Sequence, residues 1–250
     1  MNEQFRYIKS DFYKLWHSPF VMLHFGFSIC GVGMVMIYVL FSKSNEINKL
    51  AAFFQLLAVA FPFAIGIVCQ IAAEQEARAG NFQNILTLPN RAKSIISKLS
   101  ILLFFGLLSA ILCTALFGVF FSLTGSTLAI SLEIIILIPT VIWGSNISIY
   151  IFQYLIALRF GGNFCIAVGV AGSLLSALLQ TGLGTGIWFI IPYGLGIRFS
   201  EFALKKALSL AVHIDLEIKI GIIFCVTATS VIMGVIIFWF SKYDGNRISD

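Results

Sequence analysis

The residues that could do chemistry are few and scattered. The three histidines lie far apart along the chain: His17, His24 and His213. No H-E-x-x-H pattern occurs, so the usual helical zinc pair is missing. Glu74, Glu76 and Arg78 form an acidic and basic group like those of membrane proteases, but no later histidine at membrane depth completes a metal or base site. The sequence therefore predicts no catalytic residue and no metal site.

Motifs that convert energy are also missing. The chain has no G-x-x-x-x-G-K-[ST] loop, so it cannot hold ATP in that way. Its apolar runs contain no Asp, Glu, Lys or Arg of the kind that relays protons or sodium ions. We therefore expect no cofactor in this chain, and either a permease driven by a separate subunit or a passive membrane component.

Uncharged polar residues do occur inside the apolar runs. Asn146 and Gln153 are seven positions apart, which predicts that both lie on one face of the fourth span. Hydrogen bonds between helices are one explanation of such residues. The other is a substrate path, to which Gln180 and Trp188 would also belong. The five cysteines lie in apolar runs without a C-x-x-C pair, so we interpret them as small buried side chains.

The composition indicates that the solvent around most of this chain is a lipid bilayer. Hydrophobic residues make up 59% of the 250 positions and charged residues only 11%, whereas soluble domains carry about a quarter charged residues. Six charge-free runs are each long enough to cross a bilayer, which takes about 20 residues. They are Leu15–Ser42, Leu50–Ala73, Leu99–Leu132, Ile134–Leu158, Phe160–Ile197 and Ile220–Ser241. The sequence predicts an all-α integral membrane protein with six transmembrane helices, in one domain spanning residues 1–250.

The basic residues predict the orientation and explain the net charge of +5. With the N-terminus in the cytoplasm, ten Lys and Arg residues lie inside and six outside, which accounts for all sixteen. Basic residues collect in cytoplasmic loops because they resist translocation. We therefore expect both termini in the cytoplasm and a bilayer, not nucleic acid, as the partner of this charge. No cleavable signal peptide is evident, so the first span is expected to act as the insertion signal.

Three segments interrupt the simple pattern of spans. Residues 1–18 carry apolar side chains at helical spacing with basic ones opposite, which predicts an amphipathic helix in the membrane interface. Residues 74–98 form the longest cytoplasmic segment, with a short apolar helix expected before Pro89. Residues 182–217 begin with three alternate glycines, which predict either a broken, re-entrant element or a G-x-x-x-G packing face. The fifth span is expected to end near Gln180.

This order of features resembles the permeases of type-2 ABC exporters. The segment Glu76-Ala-Arg-Ala-Gly80-Asn-Phe-Gln-Asn-Ile85-Leu86-Thr-Leu-Pro89-Asn-Arg91 is similar to the family's E-x-x-x-G-T motif, Leu pair, Pro and basic residue, with Asn81 in place of Thr. The resemblance implies the ABC-2 permease fold and a helix that couples to an ATPase, which holds ATP and Mg. The implied coupling residues are Glu76, Gly80, Asn81, Phe82, Ile85, Leu86, Pro89 and Arg91.

The chain length and the opening Phe12-Tyr-Lys-Leu-Trp-His-Ser-Pro19 resemble the lantibiotic-immunity permeases of the G type, the MutG (LanG) family. The E-type subunit is also similar, so both subunit types stay open. The resemblance implies two copies of an F-type ATPase, a second permease of the E type, a lantibiotic peptide as substrate and the bacterial cytoplasmic membrane as location. The alternatives are an ABC-2 permease for a drug, lipid or other peptide, and a membrane protein without transport activity.

Overall fold

The computed structural model describes residues 3–80, 82–83, 87, 91–128, 130–210 and 215–243. Within them the chain is helical, without a strand. Two short 3-10 helices, Gly182–Gly184 and Trp188–Ile190, separate α7 from α8. The α-helices are α1 (Glu3–Trp16), α2 (Pro19–Phe41), α3 (Glu46–Arg78), α4 (Arg91–Leu123), α5 (Leu132–Ser145), α6 (Ile147–Phe160), α7 (Gly162–Gln180), α8 (Pro192–Ala207) and α9 (Leu216–Ser241).

Polar side chains cap the starts of several helices. The Ser18 hydroxyl accepts a hydrogen bond from the Phe20 amide, and Pro19 occupies the first turn of α2, where no N–H is needed. Asn45 caps α3 by accepting from the Asn48 amide at 2.8 Å. Each capping residue lies where a polar stretch ends and an apolar run begins. The local sequence therefore explains where these helices start.

Five helices are long and apolar enough to cross a membrane: α2, α3, α4, α7 and α9. The consecutive helices α5 and α6 meet at an angle of 47° and together are long and apolar enough for one further, bent span. With this pair counted as one crossing, the prediction of six spans is confirmed. α1 confirms the predicted amphipathic helix before the first span.

The fourth span is not the single straight helix that the sequence predicted. It breaks at Asn146, because short polar side chains there bond to carbonyl oxygens of the preceding turn. Asn146 Nδ2 donates to Ile142 O at 2.7 Å, and Ser145 Oγ donates to Val141 O at 2.9 Å. Gly196 of α8 also packs against Asn146. The fourth span therefore consists of two helices that meet at Asn146, and both Asn146 and Gln153 are buried in the bundle.

Helix α3 is central to the bundle and packs closely along α7. Gly66 and Gly169 face each other, and a Cβ on Gly169 would lie 3.1 Å from the Pro62 carbonyl oxygen. The missing side chains let the two backbones approach, which increases van der Waals contact where no hydrophobic driving force acts between helices. On the other side, Phe53 of α3 stacks on Phe117 of α4, with ring centroids 3.9 Å apart.

The chain turns back against the bundle after α7. Span five ends at Gln180, as predicted. Gly184 is buried, and Gly186 has a φ of +80°, a conformation that suits glycine. Because Gly182 and Gly186 lie in a 3-10 helix and a turn, this segment is a broken element and not a helical G-x-x-x-G face. Helix α8 then packs on α3, α5 and α7.

Candidate functional site

The connection between α3 and α4, residues 79–90, leaves α3 through an irregular turn. Gly80 and Phe82 have φ values of +134° and +66°. A positive φ is rare for an aromatic residue, so contacts with surrounding residues must stabilise this backbone conformation of Phe82. The Thr87 amide donates to Gln83 O at 3.0 Å, the i to i−4 bond of a helical turn. Gln83 and Thr87 are exposed.

Phe82 is only 2% exposed. Its ring meets that of Tyr243 edge to face, with centroids 6.1 Å apart, and its amide donates to Glu76 O. The Phe82 side chain therefore packs inside this chain, and its role in coupling to an ATPase stays a prediction. Apolar spacing shows that Phe82 belongs to an apolar face, but the spacing does not show that the end of α9 covers that face.

Arg91 fixes the other end of the connection to the same place. It is the first residue of α4, and its Nη1 donates to Tyr243 O at 2.8 Å. Tyr243 in turn packs on Trp239, with ring centroids 4.6 Å apart. Both ends of the connection therefore contact the C-terminal end of the last span. The other coupling residues predicted from sequence, Asn81, Ile85, Leu86 and Pro89, lie outside the described residues.

Beneath the connection lies a charge cluster of four residues: Asp11, Lys14, Glu76 and Lys98. Lys98 Nζ is 2.6 Å from Glu76 Oε1 and 3.1 Å from Asp11 Oδ1. Lys14 Nζ reaches the same Glu76 oxygen at 3.3 Å. The side chains of Glu76 and Lys98 are each 1% exposed. The two acidic and two basic side chains compensate one another's charge. Such pairing offsets the cost of burying charged groups away from water.

Neighbouring polar groups complete the charge cluster. Ser97 Oγ donates to Asp11 Oδ2 at 2.7 Å, and Gln75 Nε2 donates to Lys14 O at 2.7 Å. Sequence reasoning assigned Glu76 to contact with a partner, whereas the structure places its carboxylate inside, on Lys98. The sequence contains one indication of this charge cluster. Asp11 lies three residues after Ile8 and four before Leu15, so it is an acid on the apolar face of α1.

Three of the four residues suggested for a substrate path, Asn146, Gln153 and Trp188, form side-chain hydrogen bonds within the described chain. Gln153 is fully buried and donates to Pro62 O of α3 at 3.1 Å. Trp188 Nε1 donates to Glu217 Oε2 at 2.7 Å. Asn146 caps the break in the fourth span, and Gln180 is the last residue of α7. The structure thus supports hydrogen bonding between elements for Gln153 and Trp188, and the substrate path stays a prediction.

The cysteines are not all buried, contrary to the sequence interpretation. Cys69, Cys113 and Cys165 are buried, Cys225 is half-buried and Cys30 is exposed. The described parts of the chain contain no group of three His, Cys, Asp or Glu residues that could hold a metal ion.

A family model described as ABC-2 family transporter protein matches residues 7–174, more than half of the chain. The chain belongs to the ABC-2 transporter family. No curated protein and no solved structure matches the sequence. The matched range of this ABC-2 permease runs from α1 into α7, and it includes the connection 79–90 and the charge cluster.

Family membership confirms the ABC-2 permease fold and shows a transmembrane transport subunit of an ABC transporter system. An ATPase belongs to such a system. The permease is a multi-pass membrane protein, in agreement with its apolar helices. The broken element after α7, together with α8 and α9, lies beyond the matched range.

Proposed function

We propose that this ABC-2 permease belongs to an ATP-driven exporter that expels a lantibiotic-type peptide from the membrane and so protects the producing cell. Two copies of an F-type ATPase bind ATP and Mg, and an E-type permease completes the membrane part. Both termini face the cytoplasm of a bacterium. The cargo, the subunit types and the orientation come from the resemblance in sequence, whereas transport itself follows from family membership.

The observation that carries the proposal is the position of the connection 79–90. It joins the ends of α3 and α4, which have 33 residues each and are thus about 50 Å long. A helix of this length transmits a displacement along its axis. A push by an ATPase on this short connection would therefore act on two helices that run through the whole bundle.

The exposed residues of the connection offer the docking surface. Gln83 and Thr87 are exposed within it, while Phe82 and Arg91 hold it against α9. Leu86 and Ile85 complete the docking surface in our proposal, on the basis of sequence alone. A polar residue such as Gln83 together with apolar residues is typical of a protein interface with an apolar centre and a polar rim.

The partners are tested by purifying the tagged permease from its native membrane in mild detergent and identifying the proteins that accompany it. An ATPase together with a second six-span protein is the expected result. An ATPase with this chain alone would replace the two-permease assembly by a homodimer. Recovery of the permease without any ATPase would overturn the proposed mechanism.

The cargo is tested separately, by deleting the gene for this permease in the native host and exposing the cells to a purified lantibiotic. The deletion should lower the concentration that kills the cells, and the wild-type gene should restore it. A daptomycin-type lipopeptide and a cationic detergent are the comparison compounds. Unchanged lantibiotic killing with altered sensitivity to a comparison compound would support the alternative of another cargo.

A further inference from the structure

The charge cluster joins three elements at the cytoplasmic end of the permease. Glu76 lies in the last turn of α3, Lys98 lies near the start of α4, and Asp11 and Lys14 lie on α1. We propose that this cluster is the joint that passes movement of the connection 79–90 to α1, with Lys98 as the positioning residue shared by α1 and α3. The inference rests on the proposed function, because it assumes that an ATPase moves the connection.

Lys98 and Glu76 hold together the two ends of the connection. They flank it in sequence, and the 2.6 Å ion pair keeps the end of α3 and the start of α4 at a fixed distance. A force on the connection therefore moves both helix ends as one body. The exposed ion pair between Glu74 and Arg78, on the same turn of α3, lies within one helix and makes no such link.

The same two residues hold α1. Lys98 binds Asp11, and Glu76 binds Lys14, so two ion pairs cross from α1 to the ends of α3 and α4. Apolar contacts alone, such as the stacking of Phe12 on Phe105, would let α1 slide along the bundle. The ion pairs instead restrict α1 to positions in which these buried charges remain paired. Because only His17 and Ser18 separate α1 from α2, a shift of α1 also moves the cytoplasmic end of the first span.

The cluster is unevenly bonded, which suits a joint better than a static anchor. Glu76 Oε1 accepts from both lysines, whereas the buried Glu76 Oε2 has no hydrogen-bond partner among the described residues. The Lys14 side chain is 36% exposed and is the less confined of the two donors. A small displacement of α1 would carry Lys14 from one oxygen of Glu76 to the other. A partly satisfied buried network thus has a second arrangement within reach.

The test measures α1 in the intact complex with its ATPase, in lipid nanodiscs. An environment-sensitive fluorophore is attached to Lys9→Cys, an exposed position on α1, after the accessible Cys30 and Cys225 have been replaced by Ala. Emission is compared without nucleotide and with ATP and vanadate. We expect a reproducible shift in the otherwise wild-type complex, and the same shift in the control variant Glu74→Gln/Arg78→Gln.

The decisive variant is Asp11→Asn/Lys14→Met, which removes both ion pairs to α1, leaves the Glu76–Lys98 pair intact and keeps the net charge unchanged. It should retain the bound ATPase and lose the emission shift. Lys14→Met alone removes a partly exposed side chain, so it should fold normally and lose part of the shift. An undiminished emission shift in both variants would contradict the proposed role of the charge cluster as a joint. The absence of a shift in a wild-type complex that binds ATPase would contradict it as well. Absence of the ATPase from the wild-type preparation would instead overturn the proposed function.

Discussion

The two ends of the last span are held by different means. At its C-terminal end, α9 meets the connection 79–90 through Tyr243, beside the buried charge cluster. At the other end, Glu217 of α9 accepts a hydrogen bond from Trp188 in the broken element. Arg198 there donates to Leu179 O at the end of α7 and to Thr181 O just after it.

The two ends of α9 differ in the kind of substitution that would destabilise them. The C-terminal end lies beside charges that are buried and compensate one another, so removing one leaves another without its partner. The N-terminal end depends on close backbone packing at Gly184 and on single hydrogen bonds of partly exposed groups. We therefore expect the C-terminal end to be the more sensitive to loss of a single charge, and the N-terminal end to be the more sensitive to an added side-chain atom.

The largest effect is expected for Glu76→Ala. This change leaves Lys98 buried with only Asp11 as its acidic partner, and breaking a buried pair costs about 3–5 kcal/mol. The measurement is the apparent Tm of the purified permease in detergent. Arg78→Ala, at an 83% exposed side chain on the same helix, is the control and should cost at most about 1 kcal/mol. Equal losses for the two variants would show that the charge cluster contributes no more than a surface pair.

A smaller loss, about 1–3 kcal/mol, is expected for Gly184→Ala because the added Cβ would overlap the carbonyl oxygen of Leu179. The end of α7 must then move away from the broken element. Gly182→Ala is the matched control, since its Cβ would meet open space. The apparent Tm of both variants tests this, and a stable Gly184→Ala would contradict the close packing described above.

Trp188→Phe should cost about 1–2 kcal/mol, because it removes the hydrogen bond to Glu217 and keeps most of the buried ring. Glu217→Gln keeps an acceptor oxygen and should cost less. A double-mutant cycle of Trp188→Phe and Glu217→Ala measures the coupling directly. Additive losses in Tm would mean that the bond does not hold the broken element to α9.

Gln83→Arg should have the smallest effect on stability, within about 0.5 kcal/mol, because Gln83 is exposed. It should nevertheless reduce the amount of ATPase that copurifies, if the connection is the docking surface. Asn163→Arg, at another exposed position where α7 begins, is the matched control and should leave ATPase recovery unchanged. Unchanged ATPase recovery with Gln83→Arg and with Leu86→Asp would contradict docking at this connection.

Much of this architecture was predictable because it depends on local sequence. Membrane spans need long apolar runs, so the six crossings and the end of span five at Gln180 followed from where the charges and glycines lie. The amphipathic helix α1 followed from apolar residues at helical spacing. The family itself was indicated by the segment from Glu76 to Arg91 and was confirmed by the match to residues 7–174.

The remaining features depend on which residues meet across the bundle, and no single segment contains that information. The break at Asn146 depends on bonds to one turn of helix and on the approach of Gly196. The burial of Phe82 depends on Tyr243, which lies far along the chain. Glu76 is charged and near a loop, which locally favours exposure, and only Lys98 and Lys14 make its burial possible. Sequence by itself determined where the chain enters and leaves the membrane, because transfer free energy adds up along a segment. Tertiary structure alone decided which charges pair, because pairing requires three helix ends to meet.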